Sequence, residues 1–191
     1  MPKTEEQCRK IREDMRSKIL KMSSLYFAKN GFGDTRIGDL AKHIGIGQGT
    51  IYLYFKSKEE LFEEIRKNAD NREDLKKLKL LSKLLLPAKA KIDRLSAEMC
   101  KRLTDDEDFC VKITLLTQIF LEKENMYADD LYKEMAKIIK QGQKEGSVVK
   151  DDALYLADLY WGNVYLYALK KLFSAELQAL KKETLNRLLY V

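Results

Sequence analysis

The sequence predicts an all-α chain, with an N-terminal three-helix helix-turn-helix domain followed by a C-terminal helical bundle. Three observations carry this. Apolar residues recur at spacings of three and four almost throughout. Only 9 Gly and 2 Pro (Pro2 and Pro87) interrupt 191 residues, far too few for the turns of an all-β fold. No alternating apolar–polar run survives inspection.

The elements follow in order. Ile11, Met15, Ile19, Met22 and Tyr26 form the stripe of a first helix, with Arg12, Arg16 and Lys29 turned away and Gly31 as its stop. Ile37, Leu40, Ala41 and Ile44 give the i, i+3, i+4, i+7 face of a short second helix, and Gly45 stands where a left-handed cap belongs. A third helix runs from about Gln48 to Leu53. Ser57-Lys58-Glu59-Glu60 reads as a capping box opening a fourth, with Leu61, Phe62 and Ile65 inward. The Lys- and Leu-rich stretch from Asp70 to Leu86 continues as helix until Pro87, and another helix spans roughly Ala88 to Leu103. Thr104-Asp105-Asp106-Glu107 reads as a second capping box; the acidic run lacks the central Gly and ligand spacing of a calcium loop. Helices over Tyr127 to Lys144, Asp151 to Leu172 and Ala175 to Tyr190 complete the chain.

Charge is placed unevenly. Residues 1–58 hold 12 Lys and Arg against 6 Asp and Glu, whereas residues 59–191 hold 24 of each, so the whole net charge of +6 lies in the first third. A one-sided positive balance points to a polyanion, nucleic acid before membrane surface. The longest uncharged stretch, near residues 44–55, holds three glycines and falls short of the roughly 20 apolar residues of a membrane span. The opening residues lack the apolar core of a signal peptide, so a cytoplasmic protein is expected.

Several chemistries are excluded by residue type. His43 is the only histidine, which removes Ser-His-Asp and Cys-His catalysis and multi-His metal sites. Cys8, Cys100 and Cys110 are odd in number and lack zinc spacing, so they read as free, mostly buried thiols. Gly45-Ile46-Gly47-Gln48-Gly49-Thr50 imitates a dinucleotide loop, but a helix precedes it rather than a strand, and Thr50 stands where the third Gly belongs. No enzyme activity, metal or cofactor is expected.

Ala41, Gly45 and Ile51, spaced by four and six, are the skeleton of a helix-turn-helix: the small Ala permits close packing, the Gly permits positive φ, and the Ile plugs the second helix into the core. That second helix opens on Gly47-Gln48-Gly49-Thr50. Small residues let a backbone approach DNA, and a Gln amide can bond an adenine edge in two places. Tyr52, Tyr54 and Lys58 are candidates for phosphate contacts, and Phe55 reads as core.

The run Thr35-Arg36-Ile37-Gly38-Asp39-Leu40-Ala41, with Gly45 to Leu61 and the lead-in Ala28 to Phe32, resembles the N-terminal domain of tetracycline-repressor-like (TetR) regulators. The likeness covers about residues 12–65 and rests chiefly on G-T-I-Y-L-Y-F-K-S-K-E-E-L; a looser one recurs at Ile139 to Gly146. It implies a homodimeric transcription regulator, usually a repressor, released from a palindromic operator when its C-terminal domain binds a small effector. By that likeness Gln48, Gly49 and Thr50 lie against bases or backbone, Tyr52, Tyr54 and Lys58 hold phosphates, and Thr35 meets backbone. Arg36 and Gly47 stand where hydroxyl caps are common, so each helix start lacks a side-chain cap; both are expected among the DNA-contacting residues, Arg36 as a further phosphate contact.

The expected domains are therefore 1–58, continuing as a linking helix to about 68, and an effector-binding and dimerisation domain over 69–191. The helix from Asp151 is apolar on two sides. Tyr155, Leu159, Gly162, Leu166, Leu169 and Phe173 form one seam; Leu154, Ala157, Trp161, Val164, Tyr165 and Ala168 form the other. One core cannot bury both, so the Gly162 seam is expected at a partner subunit, joined by Leu177, Leu180 and Leu188 of the last helix in a four-helix interface. Trp161 and Tyr165 then face inward and, with Met99 and Phe120, are the candidates for lining an effector pocket.

Overall fold

The computed structural model describes residues 4–69, 72–121, 130–174 and 176–191, the side chains of 118–121 excepted. The described residues are helical apart from turns and one isolated antiparallel bridge, Val148 to Tyr190. The chain divides into two compact units, Met1–Ala69 and Asp70–Val191.

The first unit holds α1 (Glu5–Asn30), α2 (Ile37–Ile44), α3 (Gln48–Tyr52) and α4 (Lys58–Asn68). Thr4 caps α1 in a reciprocal box with Gln7, and Gly31, at φ 78°, ends it. Ile19, Phe27, Leu40, Ile51, Phe55, Leu61 and Ile65 are almost wholly buried; each such side chain contributes about 1.5–3 kcal/mol by leaving water. Around them Phe27, Phe32 and Phe62 meet edge-on or stacked, with centroids 4.4–5.7 Å apart.

Two expectations for α1 need correction. Ile11 is 44% exposed, because the first turns of α1 run past the small core; Ile19, Ser23 and Phe27 carry the buried face instead. Arg16 is not turned away: its guanidinium lies 5.0 Å from the Phe55 ring centre and 3.0 Å from the Glu64 carboxylate on α4.

The second unit holds α5 (Arg72–Lys83), α6 (Ala88–Asp105), α7 (Glu107–Leu121), α8 (Asp130–Glu145), α9 (Ala153–Phe173) and α10 (Lys182–Asn186). Gly146, at φ 73°, ends α8. Gly142, one turn earlier, has no room for a Cβ, which would collide with Val148 and press on Ala88.

Two sequence-predicted elements are redrawn here. The helix expected over Ala175 to Tyr190 is only Lys182–Asn186, because tertiary ties at its end override local propensity. Tyr190 Oη donates to Asp93 (2.9 Å), Asn186 Nδ2 donates to the same carboxylate (2.7 Å), and Val149 N donates to Leu189 O (2.9 Å). The four-helix interface thus lacks its second long helix: Leu177 and Leu180 lie on non-helical chain, and Leu188 is 40% exposed beyond α10. The second capping box shifts by two residues. Thr104 remains inside α6, donating to Cys100 O (2.9 Å), and Asp106 accepts from Phe109 N (2.8 Å) to cap α7.

Among the described residues no helix is long and apolar enough to cross a membrane.

Candidate nucleic-acid interface and ligand cavity

The turn between α2 and α3 is built by Gly45, in the left-handed region at φ 77°, ψ 36°. Ile46 N donates to Ala41 O (3.0 Å) and Gly45 N to Lys42 O (3.1 Å), closing the end of α2 on itself. Ala41 is buried at the crossing and Ile51 is wholly buried beneath α3. With Ile51 inward, Gln48, Gly49 and Tyr52 are exposed and Thr50 is half-buried. Gly49 has open space around it, and the Gln48 amide oxygen lies over Gly38 of α2. Gly47 occupies the N-cap of α3 and Arg36 that of α2, both extended and neither with a side-chain cap bond. Arg36 is exposed and Tyr54 half-buried.

Two candidates take other positions. Thr35 is buried, its hydroxyl donating to Gly31 O (2.6 Å), so it ties the loop after α1 rather than facing outward. Lys58 Nζ donates to the carbonyls of Phe32 (2.9 Å), Gly33 (3.3 Å) and Thr35 (3.0 Å) and lies 4.4 Å from the Phe32 ring centre. An ammonium has three N–H donors, and these three carbonyls account for all of them. Lys58 staples the start of α4 to the loop that positions α2. Ser57 Oγ accepts from Glu60 N (3.1 Å), and the Glu60 carboxylate reaches back to Lys56 N, one residue before the cap.

In the second unit a cavity of about 600 Å³ opens among α5, α6, α7, α8 and α9. Met99, Trp161 and Tyr165 line it; the Phe120 side chain lies outside the described residues. Trp161 stacks on Tyr165 (6.5 Å) and stands edge-on to Tyr160 (5.2 Å). Asp74 and Arg102 are also in the wall. Arg102 Nη1 donates to Asp74 Oδ1 (2.8 Å) and Lys112 Nζ to Oδ2 (3.0 Å), and the guanidinium lies 3.7 Å from the Phe109 ring centre. Burial pushes the Asp74 carboxyl up, but the bonds and charges of Arg102 and Lys112 outweigh it and hold it below its ordinary value. Nearby, burial and the charge of Asp106 push the Cys110 thiol up to about 11, which leaves it an inert, protonated core group; Cys100 is also buried and Cys8 exposed.

Residues 19–65, from the middle of α1 through α4, match the family of bacterial regulatory proteins named tetR. Residues 19–65 therefore form a tetR-family domain. A Bacillus subtilis helix-turn-helix-type transcriptional regulator, YdgC, is 28% identical over 130 residues, 67% of this chain and 63% of its own length. The next two curated relatives are matched over 17% and 27% of theirs, so the chain spans less than two thirds of each. Among solved structures, a Clostridium perfringens protein described as a fatty acid metabolism regulator superposes with TM-score 0.60 at 19% identity, over 90% of this chain and 96% of that one. SmeT, the repressor of the Stenotrophomonas maltophilia multidrug efflux pump SmeDEF, gives 0.55 at 17%, over 92% and 90%, and has also been solved with triclosan. At these identities the structural likeness concerns the fold.

In the second unit the Gly162 seam of α9 lies on the outside of the single chain: Tyr155, Leu166 and Phe173 are about half exposed or more, Gly162 and Leu169 are exposed, and Leu159 is half-buried. The opposite seam is core, with Ala157, Trp161, Val164 and Ala168 buried. Two features escaped the sequence reading. Leu53 stands 83% exposed beside Tyr52, signalled only by its being out of phase with buried Ile51 and Phe55. The Asp74–Arg102–Lys112 cluster had no sequence signal, its members lying 28 and 38 residues apart.

Proposed function

We propose that this chain is a tetR-family regulator: a homodimeric, sequence-specific DNA-binding transcriptional regulator in the cytoplasm, a repressor that leaves a palindromic operator when a small molecule fills the cavity of its second unit. It is not an enzyme. Residues 1–58, with α4 as the link, form the DNA-binding part, and residues 69–191 bind the effector and dimerise. The observation that supports this best is the exposed edge of α3, where Gly47, Gln48, Gly49 and Thr50 put one amide and little bulk in front of a helix anchored by wholly buried Ile51. Such an edge fits a major groove. Gln48 reads a base, while Thr50, Tyr52, Tyr54 and Arg36 hold the sugar-phosphate backbone. Thr35 and Lys58 act behind them, fixing the loop from which α2 starts.

The outward seam of α9, continued by Leu169 and Phe173, supports pairing with a second copy. Met99, Trp161 and Tyr165 in the cavity wall support effector binding there, at a volume within the roughly 300–1,000 Å³ of small-molecule pockets. SmeT, solved with triclosan, has the same fold.

Selection of bound duplexes from a random pool tests the reading. The expected result is two inverted half-sites about 10 base pairs apart, with log affinity falling against log salt at a slope near −5 if about six phosphates are neutralised per dimer. An unenriched pool with a slope near zero refutes it.

A further inference from the structure

The wall of the second unit's cavity divides by chemistry. Leu78, Leu81, Leu95, Met99, Ile113 and Trp161 make most of it apolar. The charged groups on it are Lys77, Arg94, Lys101 and Arg102 against Asp74 and Glu98, so cations outnumber anions although residues 59–191 as a whole are neutral. Lys77, Arg94 and Lys101 are exposed at the cavity and carry no ion pair to any described residue. Of the two carboxylates on the wall, Asp74 is shared by Arg102, itself in the wall, and Lys112, which leaves that cluster with a net charge of +1. Its side chains are only about one-fifth exposed (22% for each cation, 20% for Asp74), so their charges act through little water. Arg102 is held flat by Phe109 and spends Nη1 on Asp74, while a guanidinium fork has five donors.

We propose that the cavity takes an amphiphile whose carboxylate head competes with Asp74 for Arg102 and Lys112 while its hydrocarbon body lies along the leucine, methionine and tryptophan wall. This rests on the reading of the cavity as the effector site and names the class of molecule that fills it. Asp74 is then an internal stand-in for the ligand's head group. It sits in the first turn of α5, so a carboxylate arriving at the two cations detaches α5 from α6 and α7 at that end. A cationic or neutral head of equal length gains neither the rim charge nor the exchange.

Trp161 is the only tryptophan of the chain and lies in the wall, so its emission reports filling directly. Titrating the full-length protein with octanoate, octanol and octyltrimethylammonium should give octanoate at least tenfold the affinity of either other probe. Asp74→Asn, which removes the competitor, should tighten octanoate three- to tenfold and leave octanol unchanged; Arg102→Met should erase the preference for octanoate. Equal affinity for all three head groups, or tighter binding of the ammonium, overturns the proposal in the wild-type protein whether or not the variants fold. Octanoate affinity unchanged in a folded Asp74→Asn protein overturns the exchange. A parallel gel shift on a selected operator separates the two readings. Octanoate that fills the cavity without releasing DNA refutes effector control and leaves the ligand class standing. A different compound releasing DNA, with octanoate not preferred, does the reverse.

Discussion

The two units spend their polar groups in opposite ways. The first is a small core closed mostly by local devices, a Thr4 box, glycines at positive φ and a Ser57 cap, to which the Lys58 staple adds one tie across 23–26 residues. Its exposed edge is left with little bulk. The second is tied by long-range polar bonds, Ser96 to Tyr160 and Asn186, Asn186 and Tyr190 to Asp93, and Asp74 to Arg102 and Lys112; Asp74 and Arg102 stand in the wall of a space that its own side chains leave open. A surface that meets a large rigid partner can be specified by a short run of residues. An enclosed space has to be assembled from distant ones.

The largest effect that sharpens this contrast is expected from Ile51→Ala. It removes the plug of α3 and should cost the first unit about 2–5 kcal/mol, abolishing DNA binding while the Trp161-monitored urea transition of the second unit holds its place. A shared shift of both transitions would show that the units do not unfold independently. Ser96→Ala is the converse. It strands the buried Tyr160 hydroxyl and Asn186, and should lower the Trp161 transition by about 1–3 kcal/mol with operator affinity unaltered in the absence of effector.

Within the first unit, Gln48→Ala should relax preference at one position of each half-site by about 1–3 kcal/mol, read by repeating the duplex selection; an unchanged preference would take Gln48 out of base reading. Lys58→Met should cost about 1–2 kcal/mol of stability and weaken all sequences alike. The salt slope should stay the same, whereas a slope smaller by about one would mean that the ammonium neutralises a phosphate after all. The smallest effect is acidic. Because Asp74 is held below its ordinary value, its contribution is full above about pH 4 and is lost as pH falls through its own lower value. Glu134, lowered in the same direction by Lys137 and Ser82 against its burial, adds to that loss. Asp74→Asn should flatten part of the fall in Trp161-monitored stability below pH 4.

What could be read from the sequence follows the same division. Ala41, Gly45 and Ile51 specified the turn because the spacing, the left-handed φ and the buried plug are all local. The absence of side-chain caps at Arg36 and Gly47 was legible for the same reason. That α9 has two apolar seams was legible from period alone, and Gly162 was the signal for which of them faces outward. The last helix was not, since the stretch expected over Ala175 to Tyr190 has helical composition, while its end is tied to distant Lys89, Asp93, Ser96 and Val149. Nor was the role of Lys58, whose partners lie 23–26 residues back, or the choice of Asp106 over Thr104 as cap, which turns on where α6 happens to end.

Gly142 and Gly162 are each the lone glycine of their helix, yet the chain itself demands only one of them. At 142 a single methyl group has no place to go, and the molecule alone explains why nothing larger stands there. At 162 the surroundings are empty, so alanine would cost this chain no collision. If glycine proves indispensable at 162, the obstacle must belong to another molecule, and tolerance at that one position becomes a gauge of how closely a second copy approaches.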